Sequence, residues 1–324
     1  KLWLNKPPRP GPSSEGRRFE DVGPESGYAA DANGQLVPTG GGLTFTAVCA
    51  DYNDDGIMDI FLGELTHSWD NQAVDRSSVL TGARPTLPLA FLRTEYMADN
   101  KSDNWNQGDK RALWADLNLD GYVDLMVDNS GFPPNSRLVA FAQDESRAFT
   151  NMSTQWGMDL VNPTGSILVD LNQDGKLDVI SGQSSVRQAS IKNRVYVLEN
   201  HLHTPGRAAI FHLQGQKANT QGLGAMLMLY TTVSGKNVIQ RRWNEVTQGG
   251  LASQNPEGVH FGVDVTGKIL GVKVRWPLQQ NTSIRSGAVV EKMYRLSENP
   301  KKGLQEWTLC EDGRAIPGRF SCSR

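Results

Sequence analysis

The 324-residue sequence predicts an all-β protein in which a repeat unit is followed by a second β unit. Three observations carry this expectation. One acidic nonapeptide, D-x-N-x-D-G-x-x-D, occurs three times, the signature of an internal repeat. Each copy stands between two short apolar runs, a pattern of strand, loop, strand. No stretch keeps the three-and-four spacing of a long amphipathic helix.

The amino end enters a repeat halfway through, because "KLWLN" and "GRRFEDV" match "RVYVLEN" and "SRAFTNMS" of later copies in order and character. The glycine run Gly40, Gly41 and Gly42 lacks the strand-then-helix context of a phosphate cradle and reads as a tight turn. The first full copy is "LTFTAVCA", then "DYNDDGIMD" at 51–59, then "IFLGE". Residues 64–88 are polar with little periodicity and read as a long surface loop, with "LPLAFLRTEY" as the next strand. The second copy is "KRALWA", "DLNLDGYVD" at 116–124, "LMVD" and "SRLVAFAQ". The third is "GSILV", "DLNQDGKLD" at 170–178, "VISG" and "NRVYVLEN". Spacings of 65 and 54 residues between copies suit four short strands per unit. From about residue 206 the texture changes to strand-like runs such as "AAIFHLQG", "GAMLMLY" and "ILGVKVRW", with no further acidic loop. Residues 301–324 read as a basic tail containing Pro and Gly.

The nonapeptide has the chemistry of a cation cage. A hard divalent ion such as calcium takes six to eight oxygens, from carboxylates, amides and backbone carbonyls. Acceptors at positions one, three, five and nine can converge on one point, with the position-seven carbonyl added and glycine at position six allowing the bend. The first loop would offer Asp51, Asn53, Asp55, Asp59 and the Ile57 carbonyl. The second would offer Asp116, Asn118, Asp120, Asp124 and the Tyr122 carbonyl, and the third Asp170, Asn172, Asp174, Asp178 and the Lys176 carbonyl. An EF-hand is excluded, because its twelfth-position glutamate is replaced by Leu62, Val127 and Ser181. Asx-turns without metal would explain one copy. Three copies, each crowding at least three carboxylates into nine residues, favour about three bound calcium ions over turns alone.

A formal charge of −2 provides no field for nucleic acid, and no apolar run is long enough for a membrane span. A chain opening on Lys1 reads as a processed protein or a fragment. Cys310 and Cys322 close a short segment, "CEDGRAIPGRFSC", and we read a disulfide between them ahead of two free thiols. Cys49, inside an apolar run, reads as a buried small residue.

At the acidic loops the sequence resembles the FG-GAP/VCBS repeat family. That resemblance covers residues 1–205 and implies β-propeller-like blades with calcium between the first two strands of each. A closed propeller needs more blades than are visible, so either blades precede this chain or its edge is completed by another segment or subunit. The second unit, 206–300, resembles the ASPIC/UnbV domain. The likeness rests on "LQGQKANTQGLGAMLMLY" with Gly222, Gly224 and Ala225, on "GGLASQNPEGVHFGVD" with Ser253, Gln254, His260, Phe261 and Gly262, and on "VKVRWP" with Trp276 and Pro277. "HFGVD" and "WPLQQ" depart from the family's more glycine-rich forms. The expected architecture is therefore a propeller-like repeat unit, a β-sandwich-like domain and a disulfide-closed tail at 301–324. Repeats followed by this domain resemble the cartilage acidic protein family and its bacterial relatives, which implies a secreted, calcium-binding protein of interaction or matrix type.

Other residues carry weaker signals. His201 and His203 read as a polar junction rather than metal ligands, and His260 as a packed histidine rather than an acid-base group. Trp243 and Trp276 read as packing residues before sugar platforms. Asn100, Asn151 and Asn281 open N-x-S sequences that carry glycans in a secreted eukaryotic protein. No motif of a nucleophile elbow, phosphate loop or zinc protease is present. The leading functional expectation is an extracellular calcium-binding structural protein that contacts a protein partner or itself, as oligomer or filament. The alternatives are a polysaccharide-acting enzyme and a carbohydrate-binding adhesin, each with structural calcium.

Overall fold

Runs that mix β-branched, aromatic and aliphatic residues become strands wherever the acidic loops stop. The structure is a computed structural model that describes residues 1–6, 16–29, 43–67, 76–84, 88–95, 106–129, 136–186, 188–233, 236–245, 258–277, 290–296 and 304–322. The chain opens with β1 (Trp3–Lys6) and β2 (Arg18–Asp21), paired antiparallel as a two-stranded sheet, followed by one helical turn, α1 (Gly23–Ser26). The first full unit is β3 (Leu43–Ala50), β4 (Asp59–His67), β5 (Ser78–Gly82) and β6 (Phe91–Glu95). The second is β7 (Asn106–Ala115), β8 (Asp124–Asn129), β9 (Leu138–Gln143) and β10 (Phe149–Asn151). The third is β11 (Pro163–Val169), β12 (Asp178–Gln183) and β13 (Arg194–Leu198). Within each unit successive strands pair antiparallel, and the end of β4 also meets the start of β7, with Leu65 opposite Gly108.

The units stack through both faces of their sheets. Phe61, Val79 and Trp114 share one core with Val127, Val139 and Phe141, while Leu113, Met126, Leu138 and Ala140 share the next with Leu168 and Val179. Alternate residues of β8 and β9 thus serve two different cores, as the two-residue period of a strand requires. That is why "DLMVDN" is buried along its whole length. The arrangement is all-β and consistent with a propeller-like stack of blades.

The surface loop expected at 64–88 is partly strand. β4 runs on to His67, and β5 is largely buried within this stretch, because Val79 and Leu80 fill the two cores on either side of it. "LPLAFLRTEY" therefore contributes the fourth strand of its unit, β6, and not the third. Gly40, Gly41, Gly42, Asn100, Ser253, Gln254 and Asn281 lie outside the described residues. No helix among the described residues is long and apolar enough to cross a membrane.

The second unit is a sandwich. Its strands are β14 (Arg207–Gln214), β15 (Met226–Val233), β16 (Lys236–Trp243), β17 (Val259–Val263), β18 (Ile269–Trp276), β19 (Val290–Tyr294), β20 (Leu304–Cys310) and β21 (Ala315–Pro317). They form two four-stranded sheets, ordered β17-β14-β20-β21 and β16-β15-β18-β19. Phe211 stacks on Trp307 at 5.4 Å between ring centres, and Leu227, Leu229, Val272 and Val274 close the core from the opposite sheet. Trp276 donates its indole N–H to the Tyr294 hydroxyl (3.1 Å), which donates to the Cys310 carbonyl (2.7 Å). Both aromatic groups are packing residues with satisfied polar ends.

The tail expected at 301–324 is instead structural. Trp307 and Leu309 alternate inward, so residues 304–310 enter the sandwich as β20, parallel to β14, and 315–317 fold back as β21. Cys310 and Cys322 are disulfide-bonded and both buried, which fastens the end of the segment to the core. Cys49 is the free cysteine, half-buried, with its thiol pushed up to about 11 by burial.

Candidate functional site

Each acidic loop leaves the end of a unit's first strand and delivers the chain to its second, and all three close by the same bonds. The position-six amide donates to the position-one aspartate: Gly56 to Asp51 at 2.9 Å, Gly121 to Asp116 at 2.8 Å and Gly175 to Asp170 at 2.9 Å. The position-seven amides of Ile57, Tyr122 and Lys176 donate to Asp55, Asp120 and Asp174 at 2.7, 2.8 and 2.9 Å. Position six is left-handed, with φ of 88°, 95° and 93°, where a side chain would be strained and glycine is not. Position four is left-handed too, although it is occupied by Asp54, Leu119 and Gln173. Asp and Asn tolerate that region, but Leu does not favour it, so loop closure holds Leu119 there.

The position-one carboxylates lie under the loops: Asp51 is 0 %, Asp116 1 % and Asp170 8 % exposed. Burial pushes Asp51 up to about 6, helped by the nearby charge of Asp54, and Asp59 up to about 7. In the second loop burial and then the charge of Asp120 raise Asp116, burial and then the charge of Asp116 raise Asp124, and burial raises Asp120. Asp170 is raised for the same first reason. These acids are gathered where water cannot neutralise them.

Position nine does work that its spacing does not reveal. One oxygen of Asp59, Asp124 and Asp178 accepts the position-two amide of its own loop, at 3.0, 2.8 and 2.9 Å. The other accepts an amide from the end of the third strand or just beyond it: Gly82 at 2.8 Å, Gln143 at 3.0 Å and Asn200 at 2.7 Å. The ninth aspartate therefore ties loop, second strand and third strand together. Asp124→Ala leaves two amides without partners beside a fully buried site, and a loss of about 2–4 kcal/mol in metal-free protein is expected. Denaturant unfolding with chelator present checks this against Asn118→Ala, which removes no such tie.

The donor set fits a hard divalent cation. Every side-chain ligand candidate is oxygen-bearing, and Asp51 Oδ1 is buried with no hydrogen-bond partner, an acceptor that a cation would satisfy. Among the described residues no three His, Cys, Asp or Glu side chains already converge on a common ion position. The position-three amides of Asn53, Asn118 and Asn172 instead donate to Asp55, Asp120 and Asp174, at 3.0, 2.8 and 3.3 Å. An N–H donor therefore already shares one oxygen of each position-five carboxylate.

The C-terminal unit meets all three loops. Arg241 donates to the Asp54 carbonyl at 2.6 Å and stands 3.7 Å from Asp51, and Arg242 stands 3.7 Å from the Asp54 carboxylate. Leu119 packs on Ala208 and Ile210, and Gly262 faces Asp116 so closely that a Cβ there would lie 1.9 Å from Oδ2. His260 donates Nε2–H to the Gly175 carbonyl at 2.9 Å, and burial pushes it down to about 4, so it is neutral. This is the packed histidine that the sequence suggests. His201 and His203 are exposed, with His201 3.5 Å from Glu199. Trp243 borders a cavity of about 70 Å³ between the two units. Asn151 ends β10 and accepts the Ser153 amide and hydroxyl. Sequence reasoning finds the loop acids but not their arginine and glycine partners, which lie far away in the chain.

A model of the family described as ASPIC and UnbV matches residues 215–303, which places that domain over most of the sandwich. No curated protein matches the chain.

Proposed function

We propose that this chain is a secreted calcium-binding protein, with FG-GAP/VCBS-type repeats whose three loops hold about three ions and order the blades for protein contact. One observation supports the reading above the others. Three loops of the same oxygen pattern adopt the same fold, each around a position-one carboxylate almost wholly removed from water. Buried charges persist when they are paired or bind metal. The Cys310–Cys322 disulfide supports an oxidising, extracellular setting. Contact or self-assembly has support at the two ends of the stack. Val195 and Val197 on β13 are 72 % and 58 % exposed, and Trp3 and Phe19 on the first pair of strands are 55 % and 65 % exposed.

The test is a calorimetric calcium titration of chelator-treated protein with light scattering on the same samples. Uptake approaching three ions per chain is the expected result, and growth in mass with calcium identifies assembly. Absence of uptake would sink the calcium assignment and leave the loops as hydrogen-bonded turns.

A further inference from the structure

The three loops share a motif but not a charge environment. The first loop alone has a fourth acid, Asp54, at its left-handed position, with its side chain 5 % exposed. Three arginines close on it. Arg147 from the second repeat unit donates to Oδ2 at 3.1 Å, the Arg241 amide donates to Oδ1 at 3.3 Å, and Arg242 lies 3.7 Å from Oδ1. Arg241 reaches past Asp54 to within 3.7 Å of Asp51, the innermost ligand candidate. Four carboxylates thus face three guanidiniums at this loop.

The third loop has the reverse setting. No arginine is recorded against its carboxylates among the described residues. Its own Lys176 is turned away onto the Leu202 carbonyl at 2.8 Å, and Glu199 adds a further carboxylate 3.0 Å from the Asn172 amide. Asn172 and Asp174 are also exposed, so an ion has open access. The second loop lies between these cases, with Arg242 acting on Asp116 and Arg147 on Asp120.

We propose that Arg147, Arg241 and Arg242 act as built-in counter-ions that take the place of much of the metal's charge at the first loop, so that the third loop fills with calcium first and the first loop last. This rests on the calcium reading above. A divalent ion entering the first loop meets three fixed positive charges, Arg241 beside Asp51 and Arg147 and Arg242 on Asp54, whereas one entering the third meets only acids and a lysine bonded elsewhere. At separations of about 6 Å and an effective dielectric near 20, a single such charge changes divalent-ion affinity by well over tenfold. Solvent and side-chain relaxation reduce this, and an affinity gap of at least tenfold between the two loops is expected. Two of the three arginines belong to the C-terminal unit, so that unit sets the order of filling in the repeats it covers. Asp54 cannot be a ligand in this scheme: its oxygens are committed to the arginines and its carbonyl to Arg241.

The experiment is a calcium titration of the full chain at constant ionic strength, followed through the backbone amide resonances of Gly56, Gly121 and Gly175, which report each loop separately in the unaltered protein. The expected result is that Gly175 shifts at the lowest calcium and Gly56 at the highest. Arg241→Gln keeps a donor for the Asp54 carbonyl while removing the charge, and it should move the Gly56 midpoint about tenfold lower while leaving Gly175 in place. Gly56 shifting with or before Gly175, or an Arg241→Gln midpoint equal to that of the parent, overturns the proposal. If none of the three glycines responds to calcium, the loops do not bind it, and it is the earlier reading that fails.

Discussion

Removing calcium from the loaded protein should lower the melting temperature of the repeat unit by about 15–30 °C. An ion held at a hundred times its dissociation constant stabilises the folded state by about 2.7 kcal/mol, so three such loops contribute about 8 kcal/mol. In a unit of this size each kcal/mol is worth roughly 2–4 °C. The loss should be selective. The sandwich has its own aromatic core around Phe211 and Trp307 and is fastened by the Cys310–Cys322 bond, so its transition should move far less. Scanning calorimetry with and without chelator separates the two, and an unchanged first transition would leave calcium without a structural role here.

At saturating calcium the stability of the parent relative to Asp109→Asn should fall as pH rises from about 4 to about 8, by on the order of 4 kcal/mol; the difference isolates Asp109 from His260, which burial pushes down to about 4 and whose contribution slopes the other way. Asp109 is 2 % exposed, its one side-chain partner among the described residues is the Ser77 hydroxyl at 2.6 Å, and burial pushes it up to about 7. The folded state therefore keeps a proton that the unfolded chain, with an ordinary aspartate, releases near pH 4. Between these values Asp109 holds more of its proton in the native state than in the unfolded one, so its contribution makes unfolding easier as pH rises. The contribution is complete below pH 4 and gone above pH 8. In metal-free protein Asp51 and Asp59 add to the same downward slope, because burial raises them to about 6 and about 7. Urea midpoints across this range, in parent and Asp109→Asn, decide the matter. A difference between parent and Asp109→Asn that stays flat or rises with pH would contradict the assignment of Asp109 as a protonated buried acid.

What was legible in the sequence follows from the range of the physics involved. Each nonapeptide carries its acids within one short segment, so Asp51 to Asp59 and its two counterparts are visible as spacing alone. The partners of the ninth aspartate lie 23, 19 and 22 residues further on, at Gly82, Gln143 and Asn200, and nothing in the nonapeptide announces them. β5 was hidden because Ser77, Ser78 and Gly82 dilute the two apolar residues that bury it. β20 was hidden because its alternation is short and its partner strand lies far upstream. The arginines on Asp54 were illegible for the same reason: Arg241 is 187 residues away in the chain. Leu119 gives the clearest case. By propensity it should avoid the left-handed conformation, and it holds it because the loop closes around it and Ala208 and Ile210 cover it.

The parallel pairing of β14 with β20 bears on how the molecule is made. Ala208 lies opposite Leu304 and Gln214 opposite Cys310, so two neighbouring strands of one sheet come from opposite ends of the sandwich's sequence. Synthesis delivers the chain at about 5–20 residues per second, amino end first. The strands before β14 are all synthesised while β14 still has an empty slot beside it, and contacts that close so long a loop form slowly. Until residue 310 clears the ribosome, Phe211 has no Trp307 to stack on. A premature stop before residue 304 would therefore not trim the protein. It would release a chain with β14 as an open sheet edge, a substrate for quality-control proteases or for pairing with another nascent chain.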